Sequence, residues 1–234
     1  MRLYIIRHAD PDYSVDSITP GGHLEARALG ERMGKEKLDR IYCSPLGRAI
    51  ATCKYTVDKT GIEPIIEKWS AEVPDCFIET PALGRLSAWD TPGEMIRECA
   101  PWVAAQDWDR IDPAGTSNIQ QRVKHVADAS DEFLARHGYV REGGRYRVVR
   151  ANQERIALFC HNGLALFWLA HLLEIPLGLT WAGFWHAPSS VTTILFDQRS
   201  KTWAVPRALS VGDCSHLYAA GLPIRPRGII TNYD

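Results

Sequence analysis

The sequence predicts an α/β fold, a three-layer sandwich in which helices flank a central, mostly parallel sheet. Two observations carry this prediction. Short apolar runs rich in β-forming residues, such as Leu3–Ile6 and Arg155–Cys160, alternate with longer segments whose apolar residues recur at helical spacing. Helix starts are marked by a capping residue followed by proline, as at Thr19-Pro20. Alternating strands and helices of this kind build a sheet with helices on its faces.

In the N-terminal part of the chain, predicted strands and helices follow one another directly. Each helix carries an apolar stripe and ends at a glycine. We therefore predict a strand at 3–6, a helix from Thr19-Pro20 to Gly34, a strand within 39–44, a helix from Ser44-Pro45 to Gly61 and a strand at 64–69.

Between Val73 and Gly115 the periodic pattern is interrupted by five prolines. Proline breaks both helices and sheet ladders, so long regular elements are not expected there. We interpret 73–115 as an inserted segment of short helices and loops. The whole chain, residues 1–234, is then predicted to form a single domain.

The C-terminal half returns to regular alternation. A capping box at Ser117 and Gln120 opens a long helix that closes at Gly138. The glycine pair Gly143-Gly144 between β-prone flanks indicates a hairpin. The remaining elements are a buried strand, an apolar helix and two late strands, at 155–160, 164–173, 191–196 and 203–206.

Composition excludes several classes of protein. The chain has 234 residues, of which 45% are hydrophobic and 24% charged, and a formal net charge of -1. These values are ordinary for a globular protein, and they give no basic field that would favour nucleic acid or anionic membranes. Apolar runs are too short to span a bilayer, and the N-terminus lacks a signal-peptide pattern, so we expect a cytoplasmic protein.

The six cysteines have no zinc spacing, so no metal is expected.

Charged residues stand where two of the predicted buried strands end. Arg7-His8 follows the first strand, and His161 follows the strand at 155–160, directly before a helix. Ligands of open α/β sheets bind at the carboxyl ends of the strands, and helix N-termini attract anions. Arg48 lies in the first turn of its helix, and its side chain is expected to point back to the same edge. Two guanidiniums and two imidazoles would form a pocket for a dianion.

Three ordered motifs complete this pattern. They are Arg7-His8-Ala9-Asp10, the stretch Ile41-Tyr42-Cys43-Ser44-Pro45-Leu46-Gly47-Arg48-Ala49, and Cys160-His161-Asn162-Gly163. Together they resemble the signatures of the histidine phosphatase superfamily, in its phosphoglycerate-mutase-like branch. The resemblance implies a phosphoglycerate-mutase-like fold and a site at these residues.

The resemblance also implies a reaction. His8 attacks the phosphorus of a phosphomonoester and forms a phosphohistidine, and water then releases phosphate. Arg7, Arg48, His161 and the backbone N–H of Asn162 hold the phosphate oxygens. The positive charge comes from the protein, so neither a metal nor a cofactor is implied.

An alcohol leaving group needs a proton donor, and this family places a carboxylic acid soon after its third strand. Glu72 matches that position best. Asp75, Glu79 and Asp90 stay open as rivals because the inserted segment follows immediately.

The resemblance leaves two alternatives to hydrolysis of a small phosphorylated metabolite. The first is a phosphoglycerate mutase; against it, the stretch after His8 and the residues Val73-Pro74 after the acid lack the partners of the cofactor-dependent mutases. The second is a non-catalytic protein that binds a phosphorylated ligand. A homodimer stays open.

For two further features the sequence allows more than one role. His186 precedes the late strands and is a candidate for the pocket lining. The predicted hairpin region is rich in arginine. It forms either a solvated basic surface or a segment that lies over the pocket and attracts polyanionic substrates. Its arginines are Arg141, Arg145, Arg147, Arg150 and Arg155.

Overall fold

A computed structural model of the protein describes residues 1–80, 84–99, 103 and 118–229, with only the backbone of Thr80. The strands are β1 (Arg2–Arg7), β2 (Pro11–Asp12), β3 (Ser17–Ile18), β4 (Arg40–Cys43), β5 (Ile65–Ile66), β6 (Phe77–Thr80), β7 (Gly84–Ser87), β8 (Tyr139–Glu142), β9 (Arg145–Val148), β10 (Arg155–Cys160), β11 (Val191–Gln198) and β12 (Trp203–Asp213). The helices are α1 (Pro20–Met33), α2 (Gly47–Thr60), α3 (Gly93–Glu98), α4 (Ile119–Arg136), α5 (Asn162–Leu173), α6 (Leu177–Gly183) and α7 (Ser215–Ala219). Short 3₁₀ turns lie at Lys68–Ser70 and Ala88–Asp90.

The large sheet has eight strands in the order β5-β4-β10-β1-β11-β12-β9-β8. From β5 to β1 all neighbours are parallel, and from β1 to β8 all neighbours are antiparallel. Six of the eight strands therefore run in the direction of β1. The predicted α/β sandwich with a mostly parallel central sheet is confirmed.

The side chains of β1 alternate between two cores, one on each face of the sheet. Leu3 and Ile5 pack into the core that α4 and α5 cover, whereas Tyr4 and Ile6 pack into the core beneath α1 and α2. Because helices cover both faces of the sheet, the side chains on each face are buried, and consecutive residues of the strand are all apolar. This explains the continuous apolar run Leu3–Ile6 that ends abruptly at Arg7.

Several predicted boundaries are wrong. Helix α2 begins at Gly47 and not at Pro45, because the hydroxyl of Ser44 accepts from the N–H of Leu46 and also bonds to His161, so it does not cap the helix. The predicted strand at 64–69 shortens to β5, whose two residues are exposed, followed by a 3₁₀ turn.

The inserted segment contains a feature that the proline pattern did not predict. Besides the short helix α3, its described part holds the β6-β7 hairpin, which is paired from Phe77 with Ser87 to Thr80 with Gly84. Farther along, the capping residue Ser117 lies outside the described residues, and the N-cap position of α4 is Asn118. Helix α6 and the long C-terminal extension of β12 were not predicted either.

The arginine-rich hairpin β8-β9 forms the far edge of the sheet, three strand spacings or roughly 14 Å from β1. Its cations are engaged locally: the Arg145 guanidinium stacks over the ring of Trp203 at 3.6 Å, and Arg147 pairs with Glu142. The others pair with carboxylates too, Arg141 with Glu174, Arg150 with Glu154 and Arg155 with Glu36. This geometry favours the solvated basic surface over a device that recruits substrate.

We therefore expect the double variant Arg145→Gln, Arg147→Gln to change KM less than about twofold for singly and multiply phosphorylated substrates alike, because screened surface charges contribute little at this distance. Steady-state kinetics at physiological ionic strength checks this. A rise in KM confined to multiply charged substrates would restore the recruiting role.

No helix among the described residues is long and apolar enough to cross a membrane.

Candidate active site

Two buried histidines meet at the carboxyl end of the parallel strands. His8 directly follows β1 and His161 directly follows β10, and these neighbouring strands pair in register up to Arg7 and Cys160. The imidazole ring centroids are 5.1 Å apart, with the ring planes tilted by 56°. His8 is 2% exposed and His161 is fully buried. Parallel pairing thus brings together two residues that lie far apart in sequence.

The His8 ring has a defined tautomer. Its Nδ1 lies 2.7 Å from the backbone carbonyl oxygen of Ala9. Because a carbonyl oxygen can only accept, Nδ1 carries the proton and the lone pair is on Nε2. Burial, reinforced by the charges of Arg7 and Arg48, holds the pKa of His8 well below its usual value. His8 is therefore a neutral imidazole with a free lone pair, the form that a nucleophile requires.

His161 is oriented by Ser44. The Ser44 Oγ accepts from the backbone N–H of Leu46 and lies 2.7 Å from His161 Nε2. Because Nε2 is the one acceptor that the described residues offer to the Ser44 hydroxyl, we assign its proton to the bond with that nitrogen. Nδ1 of His161 then carries the ring proton. This atom is buried and has no hydrogen-bond partner within the described part of the chain. Burial, together with His8 and both arginines, lowers the pKa of His161 well below its usual value. His161 thus offers one N–H donor to a bound anion.

We expect Ser44→Ala to lower kcat about tenfold with little change in KM, because it removes the one hydrogen bond that fixes the donor tautomer of His161. The pH profile of kcat should also change, which a purely structural defect would not cause. Ser190→Ala is the matched control, since its hydroxyl is buried but has no partner among the described residues. Equal losses in both variants would contradict the role of Ser44.

Two guanidiniums flank the histidines. Arg7 is 5% exposed, and its Nη1 donates to the backbone oxygen of His186 at 2.5 Å. Arg48, in the first turn of α2, donates from Nη1 to Oδ1 of Asp16 at 2.6 Å. The Nε of each arginine is buried without a partner in the described chain. Buried donors of this kind are normally satisfied, so each is available to an acceptor from outside the described residues, such as a bound anion.

Asp16 is a positioning residue that no sequence pattern indicates. It has a left-handed backbone (φ 46°), and its carboxylate holds both Arg48 and the backbone N–H of Gly47, the latter at 2.7 Å. A Cβ on Gly47 would lie 2.2 Å from the backbone oxygen of Asp16, so only glycine fits there. Burial alone would raise the pKa of Asp16, but its bonds to Gly47 and Arg48 outweigh burial and lower it. An ionised Asp16 therefore anchors the Arg48 side chain.

Of the four candidate acids, the structure brings Glu72 and Asp90 to the site. Asp75 and Glu79 are exposed, and Asp75 pairs instead with Arg122. The electrostatic fields of Glu72 and Asp90 both act on Arg7. Burial raises the pKa of Asp90 to about 6, although Arg7 opposes this.

Glu72 lies against the N-terminus of α5. Its carboxyl oxygens accept from the backbone N–H groups of Leu164 at 2.9 Å, Val73 at 3.1 Å and Gly163 at 3.3 Å. These bonds favour the ionised form, yet burial dominates and raises the pKa of Glu72 above its usual value. A Cβ on Gly163 would lie 2.6 Å from Glu72 Oε1 and 2.7 Å from the ring of Trp89, so only glycine permits this approach.

His186 and Asn162 complete the surroundings of Arg7. The Asn162 side-chain oxygen accepts from the backbone N–H of His186 at 3.3 Å, and this bond fixes the loop before β11. His186 is 2% exposed, and neither of its ring nitrogens has a partner in the described residues. Burial and the charge of Arg7 lower the pKa of His186 to about 3, so the ring is neutral.

The arrangement is suited to a tetrahedral oxyanion. The charges of both arginines act on His8 and on His161, and each arginine has a buried Nε without a partner among the described residues. The Glu72 carboxyl lies close enough to act on Arg7. Such preorganised donors stabilise the charge that develops during transfer of a phosphoryl group. Among the described residues, no three His, Cys, Asp or Glu side chains cluster so that they could hold a metal ion.

Comparisons with known proteins agree with this geometry. Residues 3–74 match the family model of the histidine phosphatase superfamily, branch 1. A curated protein of Hydrogenobacter thermophilus, named "Putative phosphoserine phosphatase 2", is 36% identical over 76 residues, which cover 29% of this chain and 37% of that protein. The match thus spans well under half of the curated relative.

Solved structures resemble the whole fold. A phosphoserine phosphatase of Entamoeba histolytica, in complex with 3-phosphoglyceric acid, superposes with a TM-score of 0.63 at 19% identity, covering 92% of this chain and 98% of that one. A mycobacterial glucosyl-3-phosphoglycerate phosphatase superposes with a TM-score of 0.59 at 22% identity, covering 89% and 97%. At these identities the likeness establishes the fold. The family resemblance itself is carried by residues 3–74, which are similar to the histidine phosphatase superfamily, branch 1.

Proposed function

We propose that the protein is a metal-independent phosphomonoester hydrolase that acts through a phosphohistidine at His8 on a small phosphorylated metabolite. The observation that carries this proposal is the state of His8. Its ring is neutral, its Nδ1 proton is held by the carbonyl of Ala9, and its Nε2 lone pair is free beside His161 and two guanidiniums.

In the first step, the Nε2 lone pair of His8 attacks phosphorus and a nitrogen–phosphorus bond forms. The bond between phosphorus and the ester oxygen breaks, and the leaving oxygen takes a proton from Glu72. In the second step, water attacks the phosphohistidine and gives a proton to the Glu72 carboxylate. Phosphate leaves, and His8 and protonated Glu72 are restored.

The remaining groups hold the transferred phosphoryl group in line. Arg7 and Arg48 supply the charge-assisted donors, and Nδ1–H of His161 and the backbone N–H of Asn162 are assigned to the other oxygens. Positioning and charge neutralisation of this kind provide most of the catalysis in phosphoryl transfer. The carbonyl of Ala9 keeps its bond to Nδ1–H as positive charge develops on the phosphorylated ring.

Glu72 is the proposed proton donor for a geometric reason. Three backbone N–H groups fix its carboxyl at the N-terminus of α5, next to His161, and they stabilise the carboxylate that remains after the proton has left. Asp90 is the rival, since burial raises its pKa as well.

The substrate class is proposed by analogy with the relatives. Their names and ligands are phosphoserine, 3-phosphoglyceric acid and glucosyl-3-phosphoglycerate, all small phosphorylated compounds. We propose a small phosphorylated molecule as the partner, with no nucleic acid or membrane involved, and we propose that the reaction takes place in the cytoplasm.

The test is release of inorganic phosphate from p-nitrophenyl phosphate and from a panel of phosphorylated metabolites, with and without a metal chelator. We expect steady release that the chelator does not change. Isomerisation of 3-phosphoglycerate faster than its hydrolysis would indicate a mutase. If the protein neither releases phosphate from any compound of the panel nor retains phosphate on histidine, it is a non-catalytic binding protein.

A further inference from the structure

The loop between β2 and β3 brings an exposed tyrosine to the two arginines of the proposed site. Tyr13 is 65% exposed, whereas Arg7 and His8 are 5% and 2% exposed. The guanidinium carbon of Arg48 lies 5.5 Å from the centroid of the Tyr13 ring, within the range of a cation–π contact. The Tyr13 side chain also lies within hydrogen-bonding reach of the Arg7 side chain. Tyr13 thus contacts both guanidiniums and is itself open to solvent.

The protein itself fixes the position of this loop. The two ends of the loop pair with each other as the short strands β2 and β3. The Asp12 carboxylate accepts from the backbone N–H of Ser14 at 3.0 Å and from its hydroxyl at 2.5 Å, which closes a turn around Tyr13. Toward the other end, Asp16 accepts from the backbone N–H of Gly47 at 2.7 Å and so fixes the loop to the start of α2. The loop therefore holds Tyr13 near the two arginines before any substrate binds.

The direction of the bond between Tyr13 and Arg7 follows from the two groups. A guanidinium can only donate, so the phenol oxygen of Tyr13 accepts from Arg7. Among the described residues no hydrogen bond takes up the phenol proton, which is therefore available to a bound ligand. The Tyr13 hydroxyl is thus an O–H donor that lies directly beside a proposed phosphate-binding arginine.

Arg7 keeps its positive charge for an incoming anion. Within the described chain its hydrogen-bond partners are neutral groups, namely the backbone oxygens of His186 at 2.5 Å and Arg227 at 3.5 Å, besides Tyr13. Arg227 itself already has a carboxylate partner, because its Nε donates to Oδ1 of Asp10 at 2.6 Å. A phosphoryl group held by the two proposed phosphate-binding arginines therefore lies within reach of the Tyr13 hydroxyl.

We propose that Tyr13 is a further catalytic residue, whose hydroxyl donates a hydrogen bond to an oxygen of the transferred phosphoryl group. This inference rests on the proposed function. A hydrogen bond to a charged oxygen is roughly twice as strong as one between neutral groups. The ring of the same residue keeps Arg48 in place, so one side chain both orients a guanidinium and binds the phosphoryl group.

Tyr13→Phe tests the hydroxyl alone, because phenylalanine keeps the ring beside Arg48. We expect kcat/KM to fall about tenfold or more, by the same factor for alkyl phosphates and for p-nitrophenyl phosphate, since the lost bond is to the phosphoryl group and not to the leaving oxygen. The inhibition constant of orthovanadate, which adopts the geometry of the transferred group, should rise by a similar factor. Tyr13→Leu, which also removes the ring, should lose at least as much activity.

Tyr218→Phe on α7 is the matched control, because the substitution is the same and this tyrosine is 90% exposed. It should leave kcat/KM and the inhibition by orthovanadate unchanged within about twofold. The thermal unfolding midpoints of both phenylalanine variants should stay close to that of the wild type, since both positions are exposed.

Three outcomes would overturn the inference. The first is a Tyr13→Phe variant that is as active as the wild type, which would leave the ring at most a structural role. The second is a loss of activity with unchanged inhibition by orthovanadate. The third is a loss confined to alkyl phosphates, which would place the hydroxyl on the leaving oxygen. Failure of the wild type to release phosphate from any substrate, p-nitrophenyl phosphate included, would instead overturn the proposed function, and this inference with it.

Discussion

Replacing His8 with alanine is expected to lower kcat by at least about a thousandfold for every phosphomonoester, because no other group can form the covalent intermediate. His161 lies 5.1 Å away between ring centroids, but its Nε2 is bonded to Ser44 and its Nδ1 carries the proton, so it has no free lone pair. Steady-state phosphate release with an aryl phosphate measures the loss.

The matched control is His23→Ala on α1, an exposed histidine whose ring contacts Tyr55 at 3.0 Å. It should leave kcat unchanged within about twofold, as expected for a surface substitution. The thermal unfolding midpoint of His8→Ala should stay near that of the wild type or above it, since a buried neutral imidazole beside two cations is not a stabilising group. Substantial turnover in a folded His8→Ala protein would contradict the nucleophilic role.

Glu72→Gln is expected to slow hydrolysis of alkyl phosphates by about a hundredfold or more, and of p-nitrophenyl phosphate much less. An alkoxide leaving group needs the proton, whereas p-nitrophenolate leaves without it. Glutamine keeps the size of the side chain, although its amide group can accept fewer of the three backbone hydrogen bonds. A plot of rate against the pKa of the leaving group should therefore become steeper in this variant.

Asp90→Asn is the matched comparison for Glu72→Gln. If Asp90 carries no proton to the substrate, its variant should lower all rates by a similar small factor, without a steeper dependence on the leaving group. A steeper dependence in Asp90→Asn, together with a shallow one in Glu72→Gln, would reassign the acid to Asp90.

The pH dependence follows from the same two groups. Since burial lowers the pKa of His8, the nucleophile stays neutral below its ordinary pKa, and activity should not fall as pH drops through about 6.5. Since burial raises the pKa of Glu72, the donor keeps its proton to higher pH than an ordinary glutamate, and activity on alkyl phosphates should fall as pH rises through that raised pKa. This basic limb should be absent in Glu72→Gln.

The central residues of the site could be predicted because they sit at positions with local signals. His8 and His161 end apolar strands, and the parallel pairing of two such strands brings their ends together. Arg48 lies in the first turn of a helix that follows a recognisable strand. In each case the sequence pattern of a single element places the residue at the correct edge of the sheet.

The supporting residues could not be predicted, because each acts through a contact between distant segments. Asp16 holds Arg48 from a loop with a left-handed backbone, and Ser44 bonds to His161 across the sheet edge. Arg227 reaches Asp10 from the other end of the chain. Charged loop residues have no periodicity, so only tertiary structure distinguishes them from ordinary solvated side chains.

The inserted segment illustrates the same limit. Its prolines predict that regular structure is interrupted, and the short helix α3 and the 3₁₀ turn agree with this prediction. The prolines do not predict the pairing of Phe77–Thr80 with Gly84–Ser87. Trp89 and Asp90 follow this hairpin and reach the site, one against Gly163 and the other near Arg7. Their location depends on how the segment folds back over α5, which no local pattern encodes.

In the proposed mechanism, His8 Nε2 faces a single phosphoryl site bounded by Arg7, Arg48 and His161. A crystal structure with orthovanadate, which adopts the geometry of the transferred phosphoryl group, tests it most directly. We expect vanadium bonded to Nε2 of His8, with its equatorial oxygens on both guanidiniums and on Nδ1 of His161. Vanadate bonded to another residue, or bound away from these four side chains, would show that His8 is not the nucleophile of this site.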